Sequence, residues 1–356
     1  MKADAAQRVP APAIASFIAN VLNTLNFAEQ NAGKVAELMT EADLTGADAH
    51  GVFRLPSYVK RIKAGGTNPR PNIQVTRNAP AAALVDGDNG MGHLVMARAA
   101  ETAIEIARET GFAWVGARMS NHAGAAGVYA ALPLAHGMVG IYSVVASANH
   151  MAVWGGVEML LGTTPLAVAI PAGVVAPVVL DIATSVVSYG TIKTHLLQGR
   201  ELAEGWMVDR TDGKPLTDPK KSAQGLLLPI GGYKGSGLSL VLGLLAGPLN
   251  GAVFGRDVVD FNADQTTVTN TGHFILAFDV ARFTPLDTFK SEIDRHLRDL
   301  RESKVLPGFD AIRLPGEQRR ARREERARDG VPMVTELLAQ LDRLAGELGI
   351  APLSER

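Results

Sequence analysis

The chain has 356 residues, with 35 basic against 36 acidic side chains and no cysteine. A net charge of −1 gives no bulk attraction to nucleic acid or to an anionic membrane. Without cysteine there are no disulfides, thiolate nucleophiles or cysteine-held metals. The length implies two or three domains, and 47% hydrophobic residues supply ample core.

In chain order, Ile14, Phe17, Ile18, Val21, Leu22 and Leu25 recur at helical spacing behind Pro12, predicting a first helix. A second is predicted from Ala28 to about Asp43, ended by Gly46, which leaves His50 on a loop or at a new helix start. Tyr58 to Lys63 reads as a helix stopped by Gly65-Gly66. Short strands follow between Asn72 and Val85, then a turn over Asp86–Gly90 and an alanine-rich helix from Met91 to Thr110.

Strands are predicted over Phe112–Ala117, Val139–Val145, Leu166–Ile170 and Val178–Ile182. The longest apolar run, Pro165 to Leu180, is broken by Pro171 and Pro177, so it reads as buried strands and not as a membrane span. Gly235–Leu249 is a buried helix behind a glycine loop, His273–Asp279 a strand and Leu286–Ser303 a helix. Gln318–Arg328 is a charged, ion-paired helix, and Val331–Leu348 an amphipathic closing helix.

These elements predict an α+β (mixed α/β) fold, with helices from both termini packed together and a strand-rich middle. The expected units are a discontinuous helical domain of residues 1–70 and 285–356, a central sheet domain of 71–120 and 186–284, and a small inserted segment, 121–185, lining the active site. The N-terminal stretch lacks the unbroken apolar run of a secretory signal, and a cytoplasmic enzyme is expected.

The segment Asp48 to Tyr58 carries the chemistry. On a helix, spacings of four would put His50, Arg54 and Tyr58 on one face. Arg54 can grip a carboxylate with two parallel bonds. His50 can exchange a proton near neutral pH. His122, in Asn121-His122-Ala123-Gly124 just past a strand, is a second candidate. His93, His136, His150, His195 and His296 have no such company and are read as structural or surface residues, with a reservation for His150. No metal-ligand spacing is present.

The Gly-x-Gly-x-x-Gly dinucleotide fingerprint is missing. Gly231-Gly232-Tyr233-Lys234-Gly235-Ser236-Gly237 stands before a helix and reads either as a phosphate cradle or as a packing turn. Asp181, at the end of an apolar strand, is suited to orienting an imidazole, binding a ribose or capping a helix.

The chain resembles the type-2 malate/L-lactate dehydrogenase family. The resemblance rests on Asp48-Ala49-His50-Gly51 with Arg54-Leu55-Pro56 and Tyr58, Ser120 to Gly124, Trp154-Gly155-Gly156, Gly162 to Ala167, Asp181 to Ser185, Gly231 to Leu238 and Leu314 to Glu317. It implies a nicotinamide enzyme, using NAD or NADP, with a non-Rossmann fold, a central largely antiparallel sheet and a homodimeric assembly. It implies His50 and His122 as catalytic candidates, and Arg54 and Tyr58 as substrate ligands. Cofactor contacts would be Ser147, Asp181, Ile182, Ala183, Thr184, Ser185, Lys234, Gly235, Gly316 and Glu317. Three departures from the family pattern point away from the best-known substrates: Ala49 for a usual serine, Thr164 for a usual asparagine, and His150 in a stretch that often bears proline. Thr164 and His150 are therefore expected at the substrate.

The expected activity is hydride transfer between nicotinamide and a small 2-hydroxy or 2-oxo acid. Reduction of cyclic or N-alkyl imine carboxylates in the same pocket is an alternative, and a non-catalytic nucleotide-binding protein is one of another class. No metal, nucleic acid or membrane partner is expected.

Overall fold

The computed structural model describes residues 7–356. The first six positions of the expected helical domain and of the N-terminal stretch lie outside the described residues. The helices are α1 (Ala11–Thr24), α2 (Glu29–Leu44), α3 (Leu55–Lys63), α4 (Gly92–Thr110), α5 (Ala126–Ala131), α6 (Tyr189–Gln198), α7 (Tyr233–Ala246), α8 (Leu286–Arg301), α9 (Glu317–Asp329) and α10 (Thr335–Leu348). Among the described residues no helix is long and apolar enough to cross a membrane.

One seven-stranded sheet organises the chain. It uses β2 (Gln74–Ala79), β3 (Ala82–Asp86), β4 (Phe112–Ser120), β5 (Met138–Val144), β8 (Leu166–Ile170), β9 (Val178–Ile182) and β12 (Thr271–Asp279). Their spatial order is β2-β3-β4-β12-β5-β8-β9. Only the β3–β4 pair is parallel; every other neighbour in this sheet runs antiparallel. The parallel pair needs a crossover, and α4 supplies it. The sheet takes strands from the 71–120 and 186–284 segments and also from 121–185.

Alanine dominates the α4 face toward the sheet, with Ala99, Ala100, Ala103 and Ala107 fully buried against Val85, Val115 and Ile275. Small side chains let the helix axis approach the sheet closely. A second core joins the two termini. Ile14, Phe17, Ile18, Val21 and Leu22 of α1 pack with Leu338, Leu341 and Leu344 of α10 and with Val52, Leu55 and Val59. Each such side chain contributes about 1.5–3 kcal/mol by leaving water, so the chain ends stabilise the segment that carries His50.

Three two-stranded pairs complete the fold. β1 (Gln7–Val9) pairs with β13 (Val331–Met333), β6 (Asn149–Met151) with β7 (Leu161–Gly162), and β10 (Met207–Asp209) with β11 (Gly225–Leu227). The closing helix therefore begins at Thr335, four residues later than the sequence pattern implied. Val331 to Met333 is apolar in either reading, and only the distant β1 decides for a strand. The helices α5 and α6 were not anticipated. α5 is six residues long, too short for its periodicity to show. α6 carried a legible start, Ser188, whose hydroxyl accepts the Thr191 N–H at 3.1 Å.

Candidate active site

His50, Arg54 and Tyr58 do not share one helix. Asp48–His50 and Val52–Arg54 form two separate 3₁₀ turns, broken at Gly51 (φ −91, ψ −142), and Tyr58 belongs to α3. Gly51 is forced: a Cβ there would lie 1.8 Å from the carboxyl group of Asp43. That buried carboxyl group accepts the Val52 N–H at 2.9 Å and so holds the break. Expected partners meet, through a different backbone.

The phenol oxygen of Tyr58 lies 2.7 Å from Nδ1 of His122. The His50 and His122 rings stack at 5.7 Å with 15° between planes. Phe261 closes the group, tilted against His122 at 5.6 Å and edge-on to Tyr58 at 5.8 Å. Both candidate histidines thus face one site. The His122 loop is fixed from below by Asn121, which is 2% exposed. Its amide donates to the Asn89 and Gly90 carbonyls at 3.0 Å and accepts from the Thr269 hydroxyl at 3.0 Å.

Arg54 is held by its Nε on the Ala49 carbonyl and one terminal nitrogen on Asn262 Oδ1, both at 3.0 Å. Of its five N–H donors two are used, leaving three for a ligand. Asn262 and Phe261 sit on a loop clamped by Arg61, which is fully buried and donates to the carbonyls of Gly66, Asp264 and Thr267 while lying 4.9 Å over the Phe261 ring. The Ser147 carbonyl accepts the Phe261 N–H at 2.9 Å. The roles of Asn121, Arg61, Phe261 and Asn262 were not legible in the sequence, because Asn121 and Arg61 act on carbonyls and Phe261 and Asn262 on side chains distant in the chain.

Burial dominates the electrostatics. It lowers the His50 pKa to about 4, helped by the Arg54 charge. It takes His122 well below the ordinary imidazole value, with Arg54 and the neighbouring histidines adding to the effect. Both imidazoles are therefore neutral at pH 7. Burial also keeps the Tyr58 phenol protonated.

Asp181 accepts the Gly127 N–H of α5 at 2.8 Å and pairs with Arg319 at 3.2 Å. It caps no helix of its own; its carboxylate takes an amide in the first turn of α5, whose N-cap is Ala125. A cleft of about 530 Å³ opens beside it, lined by Ala47, Asp181, Ile182, Gly316, Arg313, Arg319 and Arg322 among others. Gly316 has φ +97, and a Cβ there would lie 2.8 Å from the Val179 nitrogen. The backbone beyond β9 then runs to the start of α7: Thr184 accepts the Ile230 N–H at 2.9 Å, and Ser185 bridges to Pro229. Gly235 packs on Ile230, where a Cβ would lie 2.2 Å from the carbonyl oxygen.

A family model described as malate/L-lactate dehydrogenase matches residues 9–342. The chain belongs to this family. It is 37% identical to the malate dehydrogenase of Pyrococcus horikoshii over 353 residues, covering 97% of each chain. The solved structure of that enzyme superposes with a TM-score of 0.89, at 35% identity, over 98% of this chain and 97% of that one. The sulfolactate dehydrogenase of Methanocaldococcus jannaschii superposes with a TM-score of 0.90, at 34% identity, over 98% and 99%. Among the more distant relatives are an NAD(+) ureidoglycolate dehydrogenase of Escherichia coli, 30% identical over 91% of this chain and 92% of that one, and an NADP(+) sulfolactate dehydrogenase of Chromohalobacter salexigens, 33% identical over 82% and 84%.

This member of the malate/L-lactate dehydrogenase family is thus an oxidoreductase of the hydroxy- and oxo-acid class. Its fold has the mostly antiparallel central sheet that the resemblance implied. Of the anticipated cofactor residues, Asp181, Ile182 and Gly316 line one cleft, Ala183, Thr184 and Ser185 follow β9, and Lys234 and Gly235 lie in the first turn of α7. Lys234 is exposed in the first turn of α7. Glu317 turns elsewhere: its carboxylate takes Arg301 and the Leu314 N–H. Thr164 is 1% exposed. His150 stacks on Tyr189 at 4.1 Å, outside the ring cluster. His93, read from sequence as structural, lies edge-on against Tyr58 at 5.4 Å.

Proposed function

We propose that the chain transfers hydride between NAD or NADP and C2 of a small 2-hydroxy or 2-oxo acid, with His122 as the proton donor and acceptor. The observation that carries this is the 2.7 Å contact of Tyr58 with His122 Nδ1. It fixes the ring and leaves Nε2 to exchange the proton of the substrate oxygen. Arg54 holds the carboxylate with its free donors. His50, stacked on His122, lines the same pocket and is the second candidate.

One observation favours a dinucleotide: a cleft of about 530 Å³ lined by Arg322, by Arg313, which pairs with Asp310, and by Arg319, which pairs with Asp181. Asp181 to Ser185, Gly316, Ser147, Lys234 and Gly235 would hold the cofactor, whereas the Glu317 carboxylate is taken by Arg301 and the Leu314 N–H. When bound, its nicotinamide supplies or accepts the hydride. Ala49 favours an acid other than those of the best-known members; Thr164 is buried and His150 stacks on Tyr189 outside the ring cluster, so the expectation that they meet the substrate is not carried over. Tyr233, Val241, Leu244 and Leu249 stand exposed on and just after α7, which supports a homodimer; light scattering at twice 37.5 kDa tests it. A cytoplasmic location accords with the absence of cysteine.

The decisive experiment is a panel of 2-hydroxy and 2-oxo acids with NAD(H) and NADP(H), run with and without methylamine. Turnover of an acid, lost in His122→Ala, is expected. Turnover that requires the amine would move the assignment to imine reduction. No turnover and no calorimetric binding of either cofactor would remove the enzyme reading.

A further inference from the structure

Behind the reacting pair stands a residue with no assigned role. His93 lies in the first turn of α4 and is 1% exposed. Neither of its ring nitrogens has a hydrogen-bond partner among the described residues. A buried polar group without a partner costs on the order of 1–3 kcal/mol, and leucine or methionine would fill the space without that penalty. The polarity therefore has a use beyond packing.

The surroundings of His93 converge on His122. Its ring meets Tyr58 edge-on, at 5.4 Å and 86°, a geometry in which a polarised edge is attracted to a π face. On its other side it abuts the His122 loop: a Cβ on Gly124 would lie 2.9 Å from His93 Nε2, and Gly124 has φ +76. The N–H of Gly124 points at His122 Nδ1 from 3.3 Å. Gly92 allows this seating, since a Cβ there would lie 2.2 Å from the Asn121 carbonyl. Both groups that address His122 Nδ1, the Tyr58 hydroxyl and the Gly124 amide, are thus backed by one imidazole.

We propose that His93 is a positioning residue, an imidazole that clamps Tyr58 and the Gly124 backbone onto His122 Nδ1 and so sets which His122 nitrogen carries the proton. An amide N–H can only donate, so the Gly124 contact makes Nδ1 the acceptor in the resting neutral ring and keeps the proton on Nε2. Once the ring gains a second proton at Nδ1, reduction passes the Nε2 proton to the substrate oxygen, and oxidation runs in reverse from the tautomer with Nδ1–H on the Tyr58 oxygen and Nε2 bare. Tyr58 donates to the same nitrogen in this tautomer and accepts from it once the ring is charged. The inference rests on His122 as the proton-exchanging group.

The test uses the full-length protein labelled with ¹⁵N at the histidine rings, with His122→Gln assigning the signals. Parent enzyme should show one His122 tautomer, protonated at Nε2. His93→Leu should mix the tautomers and lower kcat for oxaloacetate reduction by about tenfold or more, with KM changed less than threefold, because misplacement of an acid by fractions of an ångström costs that much. His93→Gln, which restores a polar edge, should recover part of the loss, and it serves as the variant if leucine prevents folding. In a Tyr58→Phe background His93→Leu should add little. Unchanged His122 shifts in a folded His93→Leu protein, or an equal loss with and without Tyr58, overturns the proposal. If oxaloacetate is not turned over, the tautomer signals decide alone. Full activity in His122→Ala would instead overturn the function proposed above while leaving the tautomer result readable.

Discussion

The Tyr58 hydroxyl stands 2.7 Å from His122 Nδ1, joining two residues 64 positions apart. One comes from the helix after the His50 turns, the other from the loop beyond a central strand. Their meeting couples the terminal helical core to the sheet, because Tyr58 belongs to the first and the His122 loop hangs from the second. The proposed reaction is thus placed where the two cores touch.

Tyr58→Phe removes the hydroxyl and little else. The ring stays packed against Phe261, so stability should change by no more than about 1 kcal/mol. Turnover should fall about tenfold to a hundredfold with substrate KM nearly unchanged, since an oriented acid–base group contributes roughly 10²–10⁴ in rate. Steady-state kinetics in both directions check this, and an unchanged kcat would show that the contact does not orient His122.

The pH dependence follows from the direction of the His122 shift. Burial and the Arg54 charge keep it neutral well below pH 6.5. Alcohol oxidation needs the base form, so its kcat/KM should stay level from about pH 9 down through 6.5. Reduction needs the acid form and should keep rising as pH falls through the same range. An oxidation profile that drops with an apparent pKa near 6.5 would contradict the buried, neutral imidazole.

Arg54→Lys tests the carboxylate anchor. Lysine keeps the charge but loses the planar fork and the bonds to Ala49 and Asn262. The KM of the acid should rise about tenfold to a hundredfold, the equivalent of about 1.5–3 kcal/mol, while cofactor affinity is unaffected. Equal losses for acid and cofactor would place Arg54 elsewhere in the reaction.

Asp43 makes stability depend on pH in the opposite sense to the histidines. Burial raises its pKa from 3.8 to about 8, partly countered by the Val52 N–H. The folded protein keeps this proton up to about pH 8, whereas the unfolded chain releases it near pH 4. Its contribution is therefore present at low pH and lost as pH rises toward 8, by at most about 1.4 kcal/mol per pH unit. The buried histidines contribute stability above pH 6.5 and lose it below. Asp43→Asn, whose amide oxygen can still accept from Val52, should gain in Tm over the parent progressively from pH 5 to 8. A Tm difference constant with pH would mean that Asp43 is already ionised.

Much of this protein was legible in its sequence because the relevant signals are local. Helical spacing of Ile14 to Leu25, the Gly111 stop of α4 and the prolines that divide 165–180 depend on neighbours within a few residues, and those elements appear where expected. The same holds for residue types: an imidazole and a phenol between positions 50 and 58 were expected at one site, and the rings of His50 and Tyr58 both meet His122. Tertiary structure decided what lies far apart in the chain. Val331–Met333 became a strand only because Gln7–Val9 lies beside it. Arg61 and Asn121 matter through carbonyls that no sequence pattern marks, and His93 looked inert until its ring was seen against Tyr58. Periodicity records which face of an element is apolar, but hydrogen bonds and ring contacts between distant segments exist only once the packing of both cores has fixed their separation.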